Sequence, residues 1–390
     1  MDYSPELGGI IYRVASLARR TGGISFAGGY PDPDLFDADG LAAAYNEVFR
    51  DGFRASLQYG DREGYRRLRE RIATLCSTAE RPVGYEEVIV ANGGQQGIAT
   101  ATSVLCRPGD HVFTEAPTFP TALHVFHQAG LKGLGIACDA DGMLPDALEA
   151  ALRRQRPRLL YAVPSYSNPA GALWSLQRRL RVLELAVEYD FHIIEDDPYG
   201  LLWFDAPPPP TLLSLAARVP GARERVIHVS SFSKTIAPGL RTGWMIPPAA
   251  LREQFVHTKL GTDIHSPLPS QYAIDRYIGC GGFAKHLPKI RATYGERARA
   301  MHDAILEHLA GRVEWAPPRG GMFFWCKVKS GVDAQTLMSA AEREKVFFVP
   351  GIAFYPGDPD RATFRMSFAT TPVEGIVEGV RRLGKVIPAA

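Results

Sequence analysis

The stretch Val226-Ile227-His228-Val229-Ser230-Ser231-Phe232-Ser233-Lys234 decides how the chain is read. An apolar, β-branched run broken only by His228 reads as a strand, and the hydroxyl-rich segment after it leaves Lys234 just past the strand's carboxyl end. A shorter strand, Gly243-Trp244-Met245-Ile246, comes soon after. The same grammar recurs upstream: Val88 to Ala91, His111 to Thr114, Leu159 to Val163 and Phe191 to Ile194 each read as a strand closed by a polar or glycine-bearing cluster. Between the last two, Leu176 to Tyr189 carries Leu180, Leu183, Leu185, Ala186 and Val187 on one face, with Arg178, Arg179, Arg181 and Glu184 at polar positions, which predicts a crossover helix. Strands alternating with amphipathic helices predict an α/β fold: a mostly parallel sheet of the seven-stranded type with helices on both faces.

With 390 residues, two domains are the first expectation. The prolines Pro207 to Pro210 mark an exposed loop, and a helical region from Ala284 to Leu309 separates the sheet from a C-terminal segment with strands of its own. The reading assigns residues 51–285 to a large domain and 286–390 to a smaller α/β domain. Residues 1–50, with the strip Phe26-Ala27-Gly28-Gly29-Tyr30-Pro31-Asp32-Pro33, read as an extended arm that joins the C-terminal part or a neighbouring subunit.

Hydrophobic residues make up 46% and charged residues 22%, the composition of a globular chain with a large core. Lys plus Arg (44) nearly balances Asp plus Glu (42), so nothing in the charge calls for nucleic acid or an anionic membrane, and a small molecule is the default ligand. The basic run Arg66-Arg67-Leu68-Arg69-Glu70-Arg71 has no interleaved aromatics and reads as a solvated helix face. Five scattered cysteines without C-x-x-C spacing read as reduced thiols rather than metal ligands. The start, Met1 to Glu6, lacks the features of a secretion signal, and no apolar run suits a membrane span, so a cytoplasmic location is expected. No H-E-x-x-H, G-x-S-x-G or G-x-x-x-x-G-K-[ST] element supports metal, serine or nucleotide hydrolysis.

In open parallel sheets ligands gather outside the carboxyl ends of the strands, so the clusters that close each strand should converge. Gly93-Gly94-Gln95-Gln96-Gly97 lies between a strand and a helix, where glycines allow close approach and free N–H groups favour an anion such as phosphate. Ser231, Ser233 and Arg241 complete that anion site with hydroxyls and a planar guanidinium. Asp196 and Tyr199 sit three residues apart where they meet a heteroaromatic ring, and Asn168 closes a third strand. A lysine enclosed among such groups loses its charge more easily and becomes the neutral amine that attacks an aldehyde. A single lysine after a strand is usually a surface charge. Four suitably typed residues, Lys234, Asp196, Asn168 and Arg241, each close to a strand end, outweigh that reading.

These motifs resemble the fold-type-I pyridoxal-phosphate aminotransferases of class I/II over nearly the whole chain. The resemblance implies pyridoxal 5'-phosphate held as a Schiff base by Lys234 in Ser231-Phe232-Ser233-Lys234, with Arg241 on its phosphate, Asp196 on the pyridine nitrogen, and Tyr199 and Asn168 on the ring oxygen. Phe119, in Ala116-Pro117-Thr118-Phe119-Pro120, resembles the aromatic residue stacked on the ring, Gly94 with Gln95 the phosphate loop, and Tyr59 the tyrosine that reaches the phosphate of the partner subunit. Arg365, in Phe364-Arg365-Met366-Ser367-Phe368, resembles the arginine that grips the substrate's α-carboxylate, and Gly29 lies in a strip like that lining the family's substrate pocket. Gly320-Gly321-Met322-Phe323-Phe324-Trp325 and Val349-Pro350-Gly351-Ile352-Ala353-Phe354 look closest to the aminoadipate and kynurenine aminotransferase branch, shared with the aminotransferase-like part of MocR-type regulators. Ala170 stands where a threonine is more usual. The resemblance therefore implies ping-pong amino transfer between an amino acid and a 2-oxo acid by a homodimer without a metal. Two rivals stay open: another reaction on the same cofactor (elimination, decarboxylation, cyclisation or oxidation), and an effector-binding regulator. The family-like segment begins almost at the N-terminus, which leaves the regulator no DNA-binding extension.

Overall fold

The computed structural model describes residues 5–389. Its strands are β1 (Ile24–Ser25), β2 (Ile89–Ala91), β3 (His111–Ala116), β4 (Lys132–Asp139), β5 (Gly142–Met143), β6 (Leu159–Ala162), β7 (His192–Asp196), β8 (Val226–Ser231), β9 (Gly243–Ile246), β10 (Val313–Trp315), β11 (Phe323–Val328), β12 (Val346–Phe347), β13 (Val349–Pro350) and β14 (Thr363–Ser367). The large sheet runs β2-β9-β8-β7-β6-β3-β4-β5. Neighbours from β8 through β4 are parallel, while β9 is antiparallel to both β8 and β2. The sheet has eight strands where the sequence suggested the seven-stranded type, because the turn after Asp139 folds Gly142 and Met143 back onto β4 as a two-residue edge. The central strands are buried without alternation, as expected where both faces of a parallel sheet are covered.

The crossover helix forms over Leu176–Glu188, and Ser175 caps it by accepting from the N–H of Arg178. Arg179, assigned to the polar face from the sequence, is instead fully buried. Its guanidinium donates to the carbonyls of Trp174 (3.2 Å) and Pro164 (2.8 Å) and to Ser165 Oγ (3.0 Å), so it ties the loop after β6 to the helix.

The C-terminal part holds the antiparallel sheet β10-β11-β14-β13 against the helices Gly282–His308 and Val373–Val386. The N-terminal residues are not the extended arm that the sequence suggested. Residues Pro5–Thr21 and Ala38–Asp51 are helices, and the extended conformation is confined to the strip between them. Ile10, Val14, Ala15 and Ala18 pack against Phe347, Val349 and Phe354, and β1 pairs with β12, so this end joins the C-terminal part. The second helix instead packs on Leu268–Gly279, where the Tyr277 hydroxyl donates to Asp37 (2.8 Å). Between them Asp32 meets Arg297 at 2.7 Å. No helix among the described residues is long and apolar enough to cross a membrane.

Arg179→Leu removes three buried hydrogen bonds and leaves the Trp174 carbonyl without its donor, so it is expected to cost about 2–4 kcal/mol. A lowered urea midpoint checks this; an unchanged midpoint contradicts the clamp.

Candidate active site

The carboxyl ends of β6, β7 and β8 open into a cavity of about 580 Å³. Twelve of the residues singled out from the sequence line it: Gly29, Gly94, Gln95, Phe119, Asn168, Asp196, Tyr199, Ser231, Ser233, Lys234, Arg241 and Arg365. Tyr59 is not brought there. It is 76% exposed on the surface of the chain, edge-on to His265 at 5.7 Å.

The Lys234 ammonium donates to the Gly29 carbonyl at 3.0 Å and has no carboxylate partner among the described residues. Desolvation first, then the nearby Arg365 and Arg241 guanidinium groups, push it down to about 8, against the weaker pull of Asp196. Gly29 has to be glycine or nearly so: a Cβ there would stand 2.9 Å from the Phe323 ring.

Asp196, the last residue of β7, is buried, and desolvation raises it to about 6. The β6/β7 register pairs Tyr161 with Ile194, and the Tyr161 hydroxyl donates to Asp196 Oδ2 at 2.6 Å. Oδ1 is left for a partner in the cavity. Burial likewise raises the Tyr199 phenol, which sits beside the Asn168 amide. Phe119 precedes the helix Pro120–Gln128 and forms another wall of the cavity.

An anion cradle lies at the start of the helix Gly94–Leu105, where the first N–H groups lack helical partners. Gly93 enters it at φ 80°, a left-handed conformation that favours glycine, with the Arg241 guanidinium packed where a Cβ would stand. Arg241 donates to the Asn92 carbonyl at 2.9 Å, and the Ser231 and Ser233 hydroxyls lie 2.7 Å apart beside it.

Arg365 comes from β14 of the small sheet and is 1% exposed. It donates to Asn168 Oδ1 (2.7 Å) and to the Ala27 carbonyl (2.6 Å), while its Nε has no partner. The rings of Phe323 and Phe354 lie 4.5 and 4.9 Å from its guanidinium carbon. Desolvation lowers it to about 10, the sign of a buried cation that lacks a counter-ion. A carboxylate is the ligand that fits it.

Asn168 itself rides on the loop between β6 and the crossover helix. Glu115, buried and raised to about 7 by desolvation, accepts from Val163 N and Trp174 Nε1, both at 2.9 Å, while Arg179 holds the same loop from its other side. The sequence reading missed Glu115, Tyr161, Phe323, Phe354 and the Ala27 carbonyl. A phenol inside an apolar central strand is the one signal that pointed to Tyr161, since a buried hydroxyl needs a partner. The Ala27 contact is made by backbone and has no side-chain signature.

The wall fits a phosphorylated pyridine aldehyde group by group: an amine of lowered basicity for the aldehyde, a buried carboxylate with a free oxygen for the ring nitrogen, and an anion cradle for the phosphate. The fold and site together define the pyridoxal-phosphate class. The family model for aminotransferase class I and II matches residues 30–383, and the chain belongs to that family. It is 37% identical to the 2-aminoadipate transaminase of Thermus thermophilus over 97% of this chain and 93% of that one. An α-aminoadipate aminotransferase structure from Thermus thermophilus, complexed with N-(5'-phosphopyridoxyl)-L-leucine, superposes with a TM-score of 0.87 at 36% identity, covering 97% of this chain and 96% of that one. The Pyrococcus horikoshii kynurenine aminotransferase gives a TM-score of 0.91 at 32% identity, covering 99% and 94%. The protein is a pyridoxal-phosphate-dependent aminotransferase acting on amino and 2-oxo acids.

Raising the pH through about 8 releases the neutral Lys234 amine. Covalent uptake of pyridoxal phosphate by the cofactor-free protein, monitored by absorbance, is therefore expected to accelerate with pH and level off above that value. A rate still climbing toward the ordinary lysine value of ~10.4 contradicts the enclosure of the amine.

Proposed function

We propose that Lys234 would hold the cofactor covalently and that its ε-amine, when free, would serve as the base and acid for the proton at the substrate's Cα. The observation that supports this most is a pair of enclosed cations, Lys234 and Arg365, neither matched by a carboxylate and both facing one cavity. Bound pyridoxal phosphate supplies the electron sink.

The other roles come from the groups' chemistry. Asp196 keeps the ring nitrogen protonated through Oδ1, while Tyr161 holds Oδ2 and fixes the carboxylate's rotation. Tyr199 and Asn168 bind the ring oxygen, and Phe119 covers the ring face. Gly94, Gln95, Ser231, Ser233 and Arg241 hold the phosphate, with Tyr59 supplied by a second copy of the chain in a homodimer; its exposure in one chain leaves it free to do so. Arg365, aimed by Asn168 and Ala27, grips the α-carboxylate. A cytoplasmic location and a division into residues 1–50, 51–285 and 286–390 belong to the same reading, with the N-terminal segment shared between the two larger parts. The catalytic cycle is ping-pong: the amino acid leaves as oxo acid before the second oxo acid enters.

Lys234→Ala is expected to lower kcat by about 10²–10⁴-fold, the usual contribution of a positioned proton-transfer group. Arg365→Gln is expected to raise KM for the amino acid about tenfold to a hundredfold through loss of charged hydrogen bonds. Steady-state kinetics over a grid of both substrates checks both variants, and intersecting rather than parallel reciprocal plots contradict the ping-pong cycle.

A further inference from the structure

The part of the cavity beyond Arg365 is built by residues without a role so far. The helix Pro5–Thr21 is fixed by Ile10, Val14, Ala15 and Ala18, which pack on Phe347, Val349 and Phe354, and this turns Gly9, Ile11 and Tyr12 into the cavity wall. Tyr30 lines the same wall, close enough to feel the charge of Arg365. Tyr12 is 66% and Tyr30 40% exposed, so two aromatic rings are left largely uncovered beside the carboxylate anchor. Surfaces of this kind are covered by a ligand or a partner, and aromatic rings pack best against other rings or large apolar groups.

The wall's lysine and arginines each face another group of the bound reactants: Lys234 the reacting carbon, Arg241 the phosphate, Arg365 the α-carboxylate. Arg19, the next cation beyond Tyr30, is exposed and does not line the cavity, so water screens it from a ligand there. His124, on the helix that begins after Phe119, is the remaining titratable nitrogen base in the wall.

We propose that Ile11, Tyr12 and Tyr30 form an aromatic subsite for the substrate's side chain, so that amino acids with aromatic or comparably large uncharged side chains are preferred to those with a second carboxylate. This rests on the transamination reading for the anchoring of the α-carboxylate by Arg365. Selectivity comes from the two ends of the ligand: the carboxylate is common to every substrate, and only the side chain meets the two rings. A dicarboxylic side chain gains none of the ring-to-ring contact and meets no unassigned ammonium or guanidinium in the wall.

The test uses the full chain loaded with cofactor and two unreactive acids, 3-phenylpropanoate and adipate, with binding measured by titration calorimetry. The expected result is roughly tenfold tighter binding of 3-phenylpropanoate, which corresponds to one unit of log affinity. Tyr12→Ala and Tyr30→Ala are each expected to weaken that acid roughly fivefold through lost apolar and ring contact, with adipate changed far less. Adipate binding as tightly as 3-phenylpropanoate, or a preference indifferent to both tyrosine substitutions, overturns the subsite. So does tight adipate binding that disappears in Arg19→Ala or His124→Ala, since a distal carboxylate then has a built partner. Conversion of bound cofactor to its aminated form by L-phenylalanine, compared with L-2-aminoadipate, is measured in parallel without oxo acid. If 3-phenylpropanoate is preferred yet neither amino acid converts the cofactor, the transamination reading fails while the subsite stands.

Discussion

A lysine enclosed between two guanidinium groups is the constraint on which the site depends. Lys234 has a carbonyl, not a carboxylate, as its hydrogen-bond partner, and Arg365 and Arg241 both act against its charge. Such an arrangement is unfavourable in a folded protein unless a ligand relieves it. In the proposed reading, an aldehyde on the amine, a phosphate opposite Arg241 and a carboxylate opposite Arg365 would relieve all three together. The parallel sheet makes the arrangement possible, because β6, β7 and β8 end at one level and deliver Asn168, Asp196 and Lys234 to the same space.

The two sheets have different tasks. The large sheet brings Asp196, Lys234 and their neighbours to the cavity, whereas the small sheet brings Arg365 to the same space. The joint between them is polar and specific: Arg365 bonds Asn168 from one part and Ala27 from the N-terminal strip, and Lys234 bonds Gly29 of the same strip. Beneath the joint, Glu115 and Arg179 hold the Asn168 loop from opposite sides without pairing with each other. Both are buried polar groups whose hydrogen-bond partners are neutral, so the position of Asn168 is set by hydrogen bonds that cannot relax into water.

The strand-end cluster was legible in the sequence because each central strand is an apolar run that stops at a polar residue, and parallel pairing forces those stops together. Arg365 was reached only through resemblance, since nothing local in Phe364-Arg365-Met366 says that β14 of another sheet faces the same cavity. The N-terminal helix escaped notice because the glycine and proline strip beside it dominated the reading, although Ile10, Val14 and Ala18 repeat at helical spacing. Arg179 was placed on the polar face because periodicity records which residues are charged, and a loop that needs three donors overrides it. Tyr59 points to a surface of the single chain, and no pattern along one sequence encodes what a second copy would bring to it.

The enclosed amine of Lys234 is tested most directly by reducing the cofactor-loaded protein with borohydride and mapping the peptides by mass spectrometry. A single pyridoxyl adduct on the ε-nitrogen of Lys234 is the expected result. An adduct on another lysine, or none, contradicts it.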